Sequence, residues 1–368
     1  MFIHFIGDSI YTANFIKYIE DNFDFNKHVF IVLTNKKTKY VPKFQNVYIL
    51  KMKKNLSIFK TLYLLKYYLS KLKPKHVFLH SLSTEHLIPI FFISKNVKLF
   101  WIVWGGDLYT NIKYKLYDDK TKNLINYSCK KKSIKQKILL LLRQYLVKRI
   151  DFIAINNIEF DIIKNNYNIK AKRVDFIYPN STHSSQSNNH DNIKTILLGN
   201  SGDPSNNHIS ILEKLANLPS KFKFKVIVPL CYGENKNYIA KIEQKGLELL
   251  GDRFFPLFNF MDLKDYAKLL SSVDIAIMNH FRQQALGNLR ILLALGKKVY
   301  LNETNPLYKY FQNENVYISC IDECNFDEYF FDEYTDEVKL KNKTNVERIF
   351  SQENIYNYMK NLFNQIQS

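Results

Sequence analysis

Short runs of β-branched and aromatic residues alternate in this chain with longer helical patterns, and the alternation starts again in the second half. Such alternation is typical of parallel sheets covered by helices. The predicted strands of the first half are Phe2–Ile6, Val29–Leu33, Val47–Leu50, His76–His80, Lys98–Val103, Phe152–Ile155 and Val174–Ile177. Those of the second half are Thr195–Leu198, Lys225–Pro229, Asp274–Met278, Lys298–Leu301 and Val316–Ser319. The pattern predicts an α/β fold with two Rossmann-like, doubly wound domains.

A polar stretch, poor in apolar residues, separates the two halves at residues 181–193, and it is typical of a linker. We therefore expect one domain over 1–180 and a second over 194–350. Residues 351–368 are expected to form a helix that packs back on the first domain. Because ligands of such sheets bind outside the carboxyl ends of the strands, we expect both sites in a cleft between the domains.

Composition excludes several classes of protein. The 368 residues suffice for two domains, and the net charge of +19 comes mostly from lysine. Four scattered cysteines predict neither a disulfide framework nor a zinc site, so we expect reduced thiols and no metal. The apolar start at residues 1–6 is interrupted by residues 7–9, and no apolar run approaches the ~18 residues of a membrane span. A soluble or peripheral cytoplasmic protein is predicted.

A glycine-spaced polar turn, composed of Gly199, Asn200, Ser201, Gly202 and Asp203, follows the first predicted strand of the second half. A helical pattern begins soon after it. Backbone N–H groups and a helix N-terminus at the end of a strand suit an anionic ligand such as a phosphate. The alternative is an ordinary strand–turn–helix connection with an N-cap.

Three further polar turns follow strands of the second half. Tyr232 is suited to stacking on a base or sugar, or is a partly buried loop tyrosine. Arg282, followed by Gln283, is suited to binding a diphosphate with two N–H donors, or to an interdomain salt bridge. Asn302 and Thr304 carry polar groups for ribose or phosphate oxygens. Together the turns indicate a nucleotide site.

Three residues of the first half are candidates for acid–base chemistry. Asp107 follows a strand and a glycine pair, so it either contacts an acceptor hydroxyl as a base or caps the next helix. Asp8 follows the first strand. His80 ends the fourth strand, where it serves as a base or as a structural histidine.

Basic stretches rich in aromatic and aliphatic residues cover 51–75 and 113–149. A basic amphipathic helix is typical of a membrane-surface element that faces anionic lipid. Solvated helix faces are the alternative. Nucleic acid is a third option, but no recognition motif is present, so we expect no nucleic-acid partner.

The same segments resemble those of the 4-acetamido-4,6-dideoxygalactose (Fuc4NAc) transferases of enterobacterial common antigen assembly, glycosyltransferase family 56. The resemblance rests on Trp101–Tyr109, Gly199–Asp203, Ser205–Asn206, His208–Ile209, Val228–Pro229, Tyr232, Gly246–Leu249, Arg282–Gln284, Gly287, Leu301–Asn302 and Asn305–Pro306. It implies a GT-B enzyme that moves Fuc4NAc from a dTDP-sugar onto a polyprenyl-diphosphate-linked saccharide, at the inner face of the bacterial inner membrane. Such enzymes generally need no bound metal.

By the same resemblance, residues 199–203 line the donor phosphates, and Arg282 and Gln283 stabilise the leaving group with Asn302 nearby. Trp104 and Asp107 lie on the first-domain side. The first hundred residues and the loop 231–235 depart from the family pattern. Alternatives are therefore another nucleotide sugar (UDP or GDP) and an O-antigen, capsule or lipooligosaccharide pathway, and, outside enzymes, a basic membrane-surface or nucleic-acid binding protein.

Overall fold

The computed structural model describes residues 1–34, 37–51, 57–109, 112, 115–126, 133–179, 193–233 and 235–364; for 57–61 and 135 it describes the backbone. The chain divides into two compact units. Unit 1 comprises Met1–Lys113, Lys131–Ser181 and Ser351–Ser368, and unit 2 comprises Tyr114–Lys130 and Thr182–Phe350.

The strands are β1 (Phe2–Ile6), β2 (His28–Thr34), β3 (Val47–Lys51), β4 (His76–His80), β5 (Lys98–Ile102), β6 (Phe152–Ala154), β7 (Lys172–Val174), β8 (Lys194–Leu198), β9 (Phe224–Pro229), β10 (Phe254–Leu257), β11 (Ile275–Met278), β12 (Lys298–Leu301) and β13 (Ser319–Cys320). The helices are α1 (Ile10–Asn22), α2 (Ser57–Leu72), α3 (Thr84–Ile90), α4 (Gly105–Tyr109), α5 (Asp119–Leu124), α6 (Ile134–Val147), α7 (Asn157–Asn166), α8 (His208–Ala216), α9 (Lys236–Leu250), α10 (Leu263–Ser272), α11 (Leu286–Ala294), α12 (Pro306–Asn313), α13 (Asp336–Ile349) and α14 (Gln352–Asn364).

Each unit contains one parallel sheet with its first strand inside it. In unit 1 the order is β3-β2-β1-β4-β5-β6-β7, and in unit 2 it is β10-β9-β8-β11-β12-β13. Both sheets grow first to one side and then to the other, which is the doubly wound topology that the alternation of strands and helices predicts. The central strands are buried apolar runs, as strands covered on both faces require.

Strand positions agree with the sequence-based expectation except at three places. Strand β7 lies just before the predicted Val174–Ile177, and β13 begins where the predicted Val316–Ser319 ends. Strand β10 was not predicted. It contains Pro256 and pairs with β9 alone at the edge of the sheet, where a residue without an N–H is tolerated.

One predicted domain boundary differs from the structure, and the predicted linker cannot be compared with it. The predicted first domain included residues 114–130, which the structure assigns to unit 2. The cause is a set of hydrogen bonds: Asp118 N–H donates to Asn207 Oδ1 at 2.9 Å, and Lys241 Nζ donates to Leu124 O at 2.6 Å. The predicted linker, apart from Ile193, lies outside the described residues.

The C-terminal helix α14 belongs to unit 1. Its Met359, Leu362 and Phe363 are buried in the same apolar cluster as Phe15 of α1 and Phe30 of β2. Among the described helices, none is long and apolar enough to cross a bilayer.

Candidate active site

The connections after β8 and β11 meet at the carboxyl edge of the unit 2 sheet. These two strands are neighbours, and the sheet changes its direction of growth between them, which is where doubly wound sheets bind ligands. Ser205 Oγ lies 2.9 Å from Gln284 Oε1, and Gln284 Nε2 donates to Asn200 Oδ1 at 2.9 Å. The structure therefore joins the two predicted polar turns into one site.

Gly199 makes the tight turn after β8 possible. Its φ is +70°, and a Cβ on it would lie 2.6 Å from Asn206 Oδ1 and 2.8 Å from His208 Nε2. Gly202, whose N–H donates to the carbonyl of Tyr232, is equally confined, because a Cβ on it would lie 2.7 Å from Ile239 Cγ1 and 2.8 Å from the carbonyl oxygen of Tyr232. Only glycine allows the backbone to approach these groups so closely.

Asn206 is the centre of this turn and is fully buried. Its Oδ1 accepts hydrogen bonds from Asn200 N–H at 2.9 Å and from His280 Nε2 at 2.8 Å, and its Nδ2 donates to Ser201 Oγ at 3.0 Å. The sequence pattern gave no means of assigning this role, since it depends on contacts between residues that are distant in the chain.

Most backbone donors of the turn are already bonded within unit 2. Gly199 N–H donates to Ile277 O at 2.9 Å, and those of Asn200 and Gly202 are engaged as described above. Asp203 Oδ1 accepts from Ser205 N–H at 2.9 Å and from Ser205 Oγ at 2.6 Å, so Asp203 is an N-cap. The expectation that free backbone N–H groups await an anion is wrong at Gly199, Asn200 and Gly202, because the turn folds onto its own side chains.

Two cationic side chains at this edge have no carboxylate partner among the described residues. Arg282 is half-buried, and its Nε and Nη2 each lie 3.4 Å from Ser205 Oγ. Lys115 Nζ lies 5.3 Å from the ring centroid of Phe281, the residue before Arg282. Neither cation takes part in an ion pair within the described part of the chain. An arginine held beside a hydroxyl without a counter-charge suits a phosphate group.

His208 and His280 add two buried, neutral imidazoles. Burial lowers the pKa of His208 to about 3, and burial together with the Arg282 charge lowers that of His280 well below its usual value. His208 Nε2 and His280 Nδ1 have no hydrogen-bond partner within the described residues. Sequence reasoning had not assigned either residue a role.

The remaining predicted donor-side residues lie around this centre. Tyr232 is exposed and meets Phe260 edge-on at 5.5 Å between ring centroids. Gln283 is half-buried next to Arg282. Asn302, after β12, uses its Oδ1 to accept from Thr304 N–H at 3.0 Å and from Thr304 Oγ1 at 2.6 Å. These two hydrogen bonds between Asn302 and Thr304 stabilise the turn after β12.

Asp107 lies in the interior of unit 1. Its Oδ2 accepts from Trp101 Nε1 at 2.7 Å and from Leu82 N–H, and its Oδ1 accepts from Trp104 N–H at 2.8 Å. Burial raises the pKa of Asp107 to about 6, although these donors and the nearby Arg143 charge act in the opposite direction. The geometry favours a role in holding the connections after β4 and β5 together, while the predicted catalytic role stays a prediction.

Asp107→Asn is expected to lower the free energy of unfolding by about 1–3 kcal/mol, because an amide NH₂ would face a backbone or indole N–H donor. Turnover per folded molecule should fall less than tenfold. Urea unfolding and initial rates on the same preparation measure both quantities. A thousandfold loss of turnover at unchanged stability would instead identify Asp107 as a catalytic base.

Asp8 also holds backbone rather than facing an open site. Its carboxylate accepts from the N–H groups of Lys39, Tyr40 and Val41 at 2.6–2.9 Å. Burial opposes ionisation, but these three donors outweigh it, and the pKa of Asp8 stays below its usual value. Asp8 is therefore an ionised anchor for the segment 39–41.

His80 belongs to a chain of buried polar rings that crosses the unit 1 sheet. Trp104 Nε1 donates to Tyr178 Oη at 3.0 Å, and this hydroxyl is hydrogen-bonded to His80 Nδ1. The chain continues from His80 Nε2 to His4 Nδ1 at 3.1 Å and from His4 Nε2 to His28 Nδ1 at 2.9 Å. Burial lowers the pKa of all three histidines, so His80 is neutral with both ring nitrogens engaged.

Among the described residues, no group of three or more His, Cys, Asp or Glu side chains is arranged to bind a metal ion. The predicted site residues thus fall into separate places. Residues 199–203, Tyr232 and Arg282 come together in unit 2. In unit 1, Asp107 and His80 are connected through Trp104 and Tyr178, while Asp8 binds the segment 39–41.

Solved structures of low sequence identity share this fold. Sucrose-phosphate synthase from Thermosynechococcus elongatus has a TM-score of 0.69 at 10% identity, over 99% of this chain and 98% of that one. Anabaena Alr3699/HepE in complex with UDP has a TM-score of 0.65 at 12% identity, over 100% of both chains. WaaG, a glycosyltransferase involved in lipopolysaccharide biosynthesis, has a TM-score of 0.62 at 10% identity, over 100% of this chain and 99% of that one. The fold is GT-B.

A sequence profile identifies the family. The profile described as "4-alpha-L-fucosyltransferase glycosyl transferase group 56" matches residues 126–355, more than half of the chain, and the match includes residues 199–203, Tyr232 and Arg282. The protein is a glycosyltransferase of the hexosyltransferase type, and it belongs to glycosyl transferase group 56, the 4-alpha-L-fucosyltransferase family.

Proposed function

We propose that this enzyme transfers Fuc4NAc, or a related deoxyamino sugar, from a dTDP-sugar to a polyprenyl-diphosphate-linked saccharide in bacterial surface polysaccharide assembly. The observation that carries the donor half is Arg282, a cation beside Ser205 at the carboxyl edge of the unit 2 sheet that forms no ion pair with any described residue. Lys115, near Phe281, adds a second positive charge to that edge.

The proposed chemistry is stabilisation of the leaving diphosphate. Negative charge builds up on the nucleoside diphosphate as the glycosidic bond breaks, and fixed cations and donors at that position lower the barrier. Arg282 offers two parallel N–H donors, and Gln283, Asn302 and Thr304 supply neighbouring polar groups. We propose that these side chains act without a bound metal, so EDTA should leave the rate unchanged.

The acceptor half rests on a set of aromatic rings in unit 1. Trp104 meets Tyr178 edge-on at 5.2 Å and Tyr11 at 5.8 Å between ring centroids, and Tyr11 is exposed. Aromatic faces of this kind pack against the apolar faces of sugars. We propose that the lipid-linked saccharide binds there and that the enzyme acts on the cytoplasmic side of the membrane that carries its acceptor.

dTDP is expected to raise the melting temperature of the purified protein in the presence of EDTA. At about 100 times its dissociation constant, a ligand stabilises the folded state by about 2.7 kcal/mol. Differential scanning fluorimetry with dTDP, UDP, GDP and ADP under identical conditions measures the preference.

The other outcomes separate the alternatives. A larger shift with UDP, the nucleotide bound by HepE, would keep the reaction and change the donor sugar. No shift with any nucleotide, together with salt-sensitive binding of lipid or polynucleotide, would contradict the proposal and favour a non-catalytic binding protein.

A further inference from the structure

Helix α6 of unit 1 carries a stripe of large apolar side chains that face solvent. Ile134, Ile138, Leu141 and Tyr145 are 78%, 60%, 65% and 71% exposed. They are spaced by four, three and four residues, so they lie on one face of the helix. Soluble proteins rarely expose so many apolar groups side by side without a partner.

The opposite face of α6 fixes the helix to unit 1. Arg143, Leu146 and Val147 are buried. Arg143 Nη2 donates to Asp107 O at 2.6 Å, and its Nε donates to Tyr167 Oη at 3.2 Å. Ser133 and Gln136 close the N-terminus in a capping box. The helix that carries the exposed stripe is therefore packed firmly against unit 1.

Apolar exposure continues beside the C-terminal end of α6. Arg149 Nη2 donates to Ser94 O at 2.6 Å, which holds the segment after α3 next to that end. Two phenylalanines of this segment, Phe91 and Phe92, are 55% and 38% exposed. An exposed apolar helix stripe with two exposed aromatic rings on the neighbouring segment suits insertion into the headgroup and acyl boundary of a bilayer.

The positive charge around the stripe indicates which partner covers it. The segment 133–150 contains five basic residues and no acidic one. Lys137 and Lys148 are exposed on one flank of the stripe, and neither forms an ion pair within the described residues. In a helix pair between two copies these lysines would repel each other, whereas anionic lipid headgroups attract them. The stretch 127–132, which adds three lysines to the sequence, lies outside the described residues.

We propose that the exposed face of α6, together with Phe91 and Phe92, docks unit 1 on an anionic lipid bilayer. The docking proposal rests on the proposed function in one respect: a lipid-linked acceptor requires the enzyme to work at a membrane. Lipid binding itself is a property of this surface, and it is measurable without any sugar transfer.

The test is co-sedimentation of the full-length protein with vesicles of phosphatidylcholine alone or mixed with phosphatidylglycerol. We expect binding to the mixed vesicles, and a loss of at least tenfold in the partition coefficient for the double variant Ile138→Gln/Leu141→Gln. The double variant Lys137→Gln/Lys148→Gln should lose at least tenfold on mixed vesicles and little on neutral ones. A matched control, Leu247→Gln/Leu340→Gln, replaces two leucines of unit 2 that are 52% and 66% exposed, and should bind like the wild type.

Three results would overturn the docking proposal. The first is no binding of the wild type to mixed vesicles, and the second is equal binding of the wild type and the Ile138→Gln/Leu141→Gln variant. The third is a wild-type protein that dimerises through this face and does not bind vesicles, with a dimer that the same variant abolishes. Thermal stabilisation by dTDP and transfer to a water-soluble acceptor should be the same in this variant and the wild type. If the wild type shows neither stabilisation by dTDP nor sugar transfer, the proposed function is wrong. The vesicle binding experiment still tests the docking surface in that case.

Discussion

Arg282→Ala is expected to lower kcat by about 10²–10³-fold, because the variant loses the positive charge that faces the developing diphosphate. The fold should persist. Arg282 contributes two long contacts of 3.4 Å to Ser205, whose hydroxyl keeps its bonds to Asp203 and Gln284. The effect is therefore expected on the transition state and on binding of the nucleoside diphosphate, with little change in the melting temperature.

Steady-state rates at saturating donor and acceptor measure this effect, and dTDP-induced stabilisation measures binding in the same variant. Arg348→Ala is the matched control, since Arg348 is an exposed arginine of unit 2 paired with Glu314 at 2.9 Å, and surface pairs of this kind contribute about 0–1 kcal/mol. Arg282→Lys should recover part of the rate, because lysine keeps the charge but not the paired donors. Turnover within threefold of wild type in Arg282→Ala would remove this residue from the mechanism.

Acidification is expected to unfold unit 1 before unit 2. Every described histidine is buried and has a lowered pKa, chiefly because of burial; unit 1 contains His4, His28, His76, His80 and His86, and unit 2 contains His208 and His280. A base with a lowered pKa in the folded state binds its proton preferentially in the unfolded state. Stability is therefore full above the ordinary histidine pKa of about 6.5 and is lost as the pH falls below it.

The size of this loss follows from the number of histidines. Between pH 7.5 and 5.5 a histidine whose folded-state pKa lies well below 5.5 removes about 1.4 kcal/mol. His28 and His76, with pKa values of about 3 and about 4, therefore remove about 3 kcal/mol from unit 1, and His208, with a pKa of about 3, removes about 1.4 kcal/mol from unit 2. The lowered pKa values of His4 and His80 add to the loss in unit 1, and that of His280 adds to the loss in unit 2. Asp107 acts in the opposite sense. Its pKa is raised to about 6, so the stability it contributes is lost as the pH rises from about 3.8 through 6, and acidification restores about 1 kcal/mol. Because domains are stable by only about 5–15 kcal/mol and unit 1 carries more histidines with lowered pKa values, unit 1 should unfold at the higher pH.

Tryptophan fluorescence measures this order directly, since both tryptophans, Trp101 and Trp104, belong to unit 1. The fluorescence transition should precede the far-UV circular dichroism transition as the pH falls. His76→Gln removes one titrating group near the amino end of β4 and should shift the fluorescence midpoint to lower pH. Coincident transitions, or a midpoint below pH 4, would contradict this account.

The polar turn at 199–203 and Arg282 are recognisable in the sequence because glycine spacing and strand ends are local signals. Their chemistry was only partly predictable. The pattern indicated open backbone donors, yet the structure bonds those of Gly199, Asn200 and Gly202 inside unit 2. Gln284 and Asn206 connect the turns through contacts between residues more than seventy positions apart, which no local pattern encodes.

The sequence by itself determined the two parallel sheets, because a strand that is buried on both faces shows a run of apolar residues. The glycine that a tight turn needs is likewise visible at its own position in the sequence. Tertiary structure alone decided that residues 115–126 join unit 2 and that Asp107, Asp8 and His80 are held by backbone and ring partners within unit 1. It also decided that Arg282 forms no ion pair with any residue in the described part of the chain. Burial, hydrogen-bond partners and unpaired charge depend on which distant residues arrive at the same place, and that outcome is set by the packing of the whole chain.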